Sequence, residues 1–272
     1  MKFQEMFAKK EVLFIPYFSL GDPSFHDCVH WADALIDGGA DILELGIPFS
    51  DPIADGPVIQ KSYKRALDHT PFQMDLVYKA TEVIHKKHPN IPLMYLTYYN
   101  PIQRVGVENF LNTVSELGVQ GIVIPDLPFD THDFHNVRQT ADKVGISLIQ
   151  LITLATHKER IRQISENASG FIYFVTSYGV TGERRDFDPK LKEKITMVKK
   201  VSGIPVSAGF GISNAEQAEF VSGFADGVII GSAVQRIIEL QGNSAEDCKQ
   251  SLTAFAKEIK QACVRGKNVG KK

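Results

Sequence analysis

Short apolar runs alternate with amphipathic stretches along this chain. Eight runs read as strands: VLFIPYF from Val12, DILELGI from Asp41, IPLMYLTYY from Ile91, GIVIPD from Gly121, ISLIQLI from Ile146, GFIYFVTS from Gly170, IPVSAGF from Ile204 and DGVIIGS from Asp226. Most are continuously apolar rather than alternating, which suits parallel strands covered on both faces. Segments of helical period lie between them. In SFHDCVHWADALIDGG, Val29, Ala32, Leu35 and Ile36 form one stripe, and Gly38-Gly39 ends the helix. Eight such units predict an α/β fold, a single (β/α)8 TIM barrel over residues 1–272. An open doubly wound sheet is the alternative. The start, MKFQEMFAKKEVLF, reads as a short helix covering one end of the barrel. AEDCKQSLTAFAKEIKQACV reads as a final helix, with RGKNVGKK frayed beyond it.

The strand starts are unevenly spaced. The second interval, from Asp41 to Ile91, and the sixth, from Gly170 to Ile204, are long, so extra loop or helix is expected after strands 2 and 6. In a barrel of this kind the loops after strands carry the active site. The two long intervals hold ELGIPFSDPIADGPVIQ and SYGVTGERRDFDP, rich in residues suited to loops that close over a ligand.

Composition removes several function classes. A net charge of −2 over 272 residues gives no nucleic-acid footprint. No window approaches the ~18 apolar residues of a membrane span, and the start lacks the apolar core of a signal peptide. Cys28, Cys248 and Cys263 show neither disulfide nor zinc spacing. A cytoplasmic location fits best. The eight histidines fall in helices or their flanks rather than at strand ends, and read as surface residues. No catalytic His, metal site or strand-end Lys is expected, so any catalysis falls to carboxylates.

Glu44 stands near the C-terminal end of strand 2. Its neighbours Leu43 and Leu45 should face the helices, which turns Glu44 to the barrel interior. There desolvation would raise its pKa and permit proton transfer near neutrality. A structural Glu paired with Lys or Arg is the competing reading. Asp51 and Asp55 sit in SDP and ADGP, where each could be a turn former instead of a reacting group. SAGFGIS and IIGSAV, at strands 7 and 8, each run through Gly into a helix start. Gly211, Gly231 and Ser232, with Gly182 closing from loop 6, make a candidate phosphate cradle.

FIPYFSLGDP, GGADILELGIPFSDPIADGPVIQ, YFVTSYGVTG, SAGFGIS and IIGSAV, in this order, together resemble the tryptophan synthase alpha subunit family. The resemblance implies cleavage of indole-3-glycerol phosphate to indole and glyceraldehyde 3-phosphate by a retro-aldol reaction. It implies no cofactor in this chain. Glu44 would be the general acid/base, and Asp55 would accept the indole N–H. Tyr17, Ile59, Tyr98, Tyr173 and Thr181 would bind substrate, and Phe210 joins the phosphate cradle. A pyridoxal-phosphate-dependent beta subunit is the implied partner, in an α2β2 assembly that receives indole through a tunnel. Asp51 and Pro52 would contact it, with Asp126 a second contact. The chain departs from the family in having Tyr17 where Phe is common, and Ser177 where some members carry Arg. A regulatory barrel with little chemistry of its own remains a competing reading. Another phosphosugar barrel enzyme would usually need a strand-end Lys or a Cys/Asp pair.

Overall fold

The structure is a computed structural model, and it describes residues 3–9, 11–176, 187–242 and 244–269. The strands are β1 (Leu13–Ser19), β2 (Leu43–Gly46), β3 (Leu93–Leu96), β4 (Val119–Val123), β5 (Ser147–Thr153), β6 (Ile172–Val175), β7 (Val206–Gly209) and β8 (Gly227–Ile230). They pair in sequence order, all in parallel, and β8 returns to β1 to close a barrel. The architecture is therefore the (β/α)8 barrel, not the open sheet. The helices described are α1 (Phe3–Ala8), α2 (Asp27–Asp37), α3 (Pro57–His69), α4 (Met74–Lys87), α5 (Tyr99–Val105), α6 (Val107–Glu116), α7 (His132–Val144), α8 (Lys158–Asn167), α9 (Leu191–Ser202), α10 (Ala215–Ser222), α11 (Ser232–Gln241) and α12 (Ala245–Val269). None is long and apolar enough to cross a membrane.

Strand alternation divides the core in two. Leu13, Ile15, Ile42, Met94, Val123, Ile149 and Ile229 fill the barrel interior. Phe14, Leu43, Leu45, Tyr95, Ile122 and Val228 pack between strands and helices. Helix α1 covers the N-terminal end, with the rings of Phe3 and Phe7 lying 6.0 and 5.5 Å from that of Phe171. The barrel is thus stoppered below and open above.

Three expectations need correction. The apolar run from Ile91 does not continue as a strand to Tyr99. β3 ends at Leu96, and α5 starts at Tyr99 with Pro101 in its first turn, where the missing N–H costs no helical bond. The interval after β3 therefore also holds an additional helix. The C-terminal run from Arg265 is helical to Val269 rather than frayed. Arg265 pairs with Glu219 at 2.7 Å, and Gly266 lies so close to the Glu219 carbonyl that a Cβ there would clash. Finally, His88 is no bystander on the surface: its Nε2 lies 2.7 Å from Asp33 Oδ1, tying α4 to α2.

Candidate active site

A cavity of about 1020 Å³ opens at the C-terminal ends of the strands. On β2, Leu43 and Leu45 point into the strand–helix core, so the intervening Glu44 faces the cavity. Its backbone registers with Tyr17 on β1 and Met94 on β3. Glu44 is 1% exposed, and neither carboxyl oxygen has a hydrogen-bond partner among the described residues. The structural reading, a Glu paired with Lys or Arg, therefore finds no partner among them. Burial, and secondarily the nearby charge of Asp55, pushes the Glu44 carboxyl up to about 8. It is a protonated acid at neutral pH.

Asp55 closes the loop between β2 and α3. Its turn is held by the main chain: Asp55 N–H donates to the Pro52 carbonyl at 3.1 Å. Gln60 Nε2 donates to the Asp55 carbonyl at 2.8 Å. The carboxylate is thus released from turn duty, 3% exposed and facing the cavity. Burial pushes it up to about 6, opposed by the hydrogen bond that Tyr98 OH donates to Oδ2 at 2.6 Å. The two carboxyls are therefore poised oppositely near pH 7, Glu44 neutral and Asp55 ionised.

Tyr98 is not among the cavity-lining side chains. It is fully buried behind Asp55, which it holds, while its own oxygen accepts from Ala54 N at 3.0 Å. Tyr17, Ile59 and Tyr173 do line the cavity. The Tyr17 hydroxyl donates to Tyr63 OH at 2.9 Å and meets Ser19 Oγ at 2.9 Å. A Cβ at Gly46 would lie only 2.1 Å from the Tyr17 oxygen, so this phenol requires glycine on the neighbouring strand. Leu96 and Thr176 also line the cavity. Both follow or end strands, a position that could have singled them out; Tyr63, on α3, had no such signal.

The candidate anion cradle assembles at the far end. Phe210, at φ 63°, and Gly211, at φ 100°, turn the chain out of β7. Gly231 leads from β8 into α11, and all three line the cavity with Ser232. The first N–H groups of α11 have no intrahelical acceptor, so the helix presents donors and its positive end to the opening. A Cβ at Gly231 would lie 3.0 Å from Tyr17 Cδ1, which again favours glycine. The Tyr173 ring meets Phe210 edge-on at 5.6 Å. Thr181, Gly182 and Ser177 lie outside the described residues.

Asp51 and Pro52 stand apart from the cavity lining, and Asp51 is exposed, its Oδ2 accepting from Ser50 Oγ at 2.5 Å. Asp126 is half-buried and accepts the N–H of Tyr99, the first residue of α5, at 2.9 and 3.2 Å. Its carboxylate thus has a local role capping that helix. No group of three or more His, Cys, Asp or Glu side chains converges as a metal site among the described residues.

Fold and site together define a barrel with a buried carboxyl pair at one side of its mouth and glycine turns at the other. The family profile described as tryptophan synthase alpha chain matches residues 3–264. A tryptophan synthase alpha chain from Leptospira interrogans is 54% identical over 255 residues, covering 94% of this chain and 96% of the relative. One from Lacticaseibacillus casei is 42% identical, covering 97% and 96%. The crystal structure of tryptophan synthase subunit alpha from Legionella pneumophila superposes with a TM-score of 0.85 at 33% identity, covering 96% of each chain. The chain belongs to the tryptophan synthase alpha chain family.

Proposed function

We propose that Glu44 and Asp55 divide the chemistry of the family's lyase reaction between them. That reaction splits indole-3-glycerol phosphate into indole and glyceraldehyde 3-phosphate. Glu44, neutral near pH 7, delivers its proton to indole C3, and the ring becomes a cationic indolenine. Ionised Asp55 accepts the hydrogen bond of the indole N–H and stabilises the positive charge that develops there. The Glu44 carboxylate then takes the proton of the hydroxyl on the carbon attached to C3. The C–C bond electrons return to the ring, the aldehyde forms, and Glu44 regains the proton it gave. Tyr17, Ile59 and Tyr173 bound the indole. Phe210, Gly211, Gly231 and Ser232 hold the phosphate. The reaction needs no metal or organic group in this chain.

The observation that carries this reading is the fully buried Glu44 carboxyl, without a hydrogen-bond partner among the described residues, in the cavity that also opens on α11. Purified chain should release indole from indole-3-glycerol phosphate, and Glu44→Gln should reduce turnover by orders of magnitude while substrate binding persists. A fully active Glu44→Gln enzyme would refute the assignment. We further infer that a beta subunit, carrying its own pyridoxal phosphate, docks on the loop of Asp51 and Pro52 in an α2β2 assembly. Ile53, 79% exposed at the tip of that loop, supports this. A purely regulatory barrel predicts no indole from either the isolated chain or the complex.

A further inference from the structure

The two halves of the site are carried by different helices. α3 starts two residues after Asp55, and α11 starts at the glycine turn. Both helices pack on β1 and on each other. Buried polar side chains fill the place where the three elements meet. On the inner side, Tyr17 OH donates to Tyr63 OH on α3. Ser19 Oγ, at the end of β1, meets both Tyr17 OH and Ser62 Oγ, the latter at 2.6 Å. On the outer side, Asp22 pairs with Arg65 of α3 through two hydrogen bonds of 2.9 and 2.7 Å, and Arg65 reaches Glu239 of α11 at 3.1 Å.

Gln235 of α11 joins the layers. Its neighbours dictate the amide orientation: Nε2 donates to Asp22 Oδ2 at 2.9 Å, while Oε1 faces Ser19 Oγ at 3.0 Å and accepts from Ser19 N. Ser19, Asp22, Ser62 and Gln235 are all 0% exposed, and Tyr63 is 1% exposed. So many polar atoms within hydrogen-bond distance of one another and without access to water fix the relative placement of the elements, because any slip leaves a donor or acceptor bare. The hydroxyl of Tyr17 that enters this network belongs to a ring wedged between Gly46 on the Glu44 strand and Gly231 at the anion cradle.

We infer that the Tyr17–Tyr63–Ser19–Gln235 network is a positioning device that couples occupancy of the anion cradle to the placement of the catalytic carboxyls. This inference rests on the function proposed above. An anion drawn onto the first turn of α11 pulls on Gln235, and the network passes that constraint to β1 and α3, and so to Glu44 and Asp55. Binding energy from the unreactive end of the substrate is thereby spent at the reacting carbons.

The test divides the substrate. The full-length chain is given indole glycerol, which lacks the phosphate, with and without saturating inorganic phosphate. Indole-3-glycerol phosphate serves as the reference. The wild type should cleave indole glycerol slowly and gain roughly tenfold on addition of phosphate, the worth of about one well-placed hydrogen bond. Gln235→Leu and Tyr63→Phe should bind inorganic phosphate as the wild type does, yet gain less than about twofold. The gain is a ratio within one preparation, so a loss of folded protein cancels, and a merely structural role leaves it unchanged. Tyr63→Phe removes one oxygen and keeps the ring, so it carries the test if Gln235→Leu does not fold. No phosphate gain in the wild type, or an undiminished gain in the variants, overturns the coupling. Absence of indole from the phosphorylated substrate overturns the underlying function instead.

Discussion

The two ends of β2 treat an acid in opposite ways. Asp41, just before the strand, accepts from Lys260 Nζ at 2.7 Å and from Phe14 N at 2.7 Å. Glu44, three residues on, has no hydrogen-bond partner among the described residues. Burial pushes both carboxyls upward, but at Asp41 the Lys260 charge pulls back, while at Glu44 the second influence, Asp55, pushes the same way. The lower end of the strand is thus built to hold an anion and the barrel with it. The upper end keeps a proton in reserve. In barrels of this type stability and chemistry occupy opposite faces, and with Glu44 in the role proposed for it the division falls within one short strand.

Glu44→Gln sharpens this contrast most. Loss of one positioned acid/base should reduce kcat by ~10²–10⁴-fold, yet the variant should be the more stable protein in alkali. The sign follows from the pKa raised from 4.5 to about 8. Between these values the folded state holds a proton that the unfolded state has released, so wild-type stability falls as pH rises through the window. Gln carries no such proton, and above pH 8 the variant should gain up to ~5 kcal/mol over the wild type. Urea unfolding at pH 5 and pH 9 measures it. A variant no more stable at pH 9 would mean that the carboxyl is solvated after all.

Next comes the activity profile. In the mechanism proposed, Asp55 must be ionised and Glu44 protonated, so kcat/KM should be bell-shaped, with limbs near 6 and 8. The limbs belong to the pair, because each charge feels the other. A profile flat from pH 5 to 9 would sever the link between these two carboxyls and the reaction.

How far the sequence reveals this contrast differs between fold and site. Continuously apolar runs between amphipathic segments are enough to recognise the barrel, because parallel strands must be covered on both faces. The inward aim of Glu44 follows from Leu43 and Leu45, since side chains alternate along a strand. That Asp55 rather than Asp51 faces the cavity does not follow from loop composition. Both sit in turn-forming dipeptides, and only the main-chain bonds around Asp55 show its carboxylate to be free for the cavity. The end of β3 is not legible in the sequence because Tyr98 and Tyr99 continue an apolar run, which only the helix around Pro101 breaks. The Tyr63–Gln235 network depends on contacts between residues as much as 216 positions apart, Ser19 and Gln235, which no local pattern encodes.

A smaller effect is expected at the lower end. Lys260→Met keeps the aliphatic stem but leaves Asp41 with the Phe14 amide alone. The pair is partly open to water, at 22% and 18% side-chain exposure, so the loss should be about 1–2 kcal/mol. It should appear as a lower urea midpoint with kcat unchanged. A fall in kcat per folded molecule would mean that the two ends of β2 are not separable.

The smallest effect concerns how a neutral phenol tunes an acid at the mouth. Tyr98 donates a neutral hydrogen bond to Asp55, which lowers its pKa against the larger influence of burial. Tyr98→Phe removes that donor, so the ionised form loses a partner and its pKa must rise above about 6. The acid limb of kcat/KM should move up by as much as ~1 pH unit, which corresponds to about 1.4 kcal/mol. Rates near pH 6.5 should fall several-fold, while those near the optimum change little. The direction discriminates between explanations: a general loosening of the loop would lower the whole profile and leave its limbs in place. A lysine in the same position would favour the ionised form of Asp55 more strongly, as the Lys260 charge pulls back against burial at Asp41. A phenol shifts the balance by a smaller amount and leaves both carboxyls close enough to neutral pH for one to be charged while its neighbour is not.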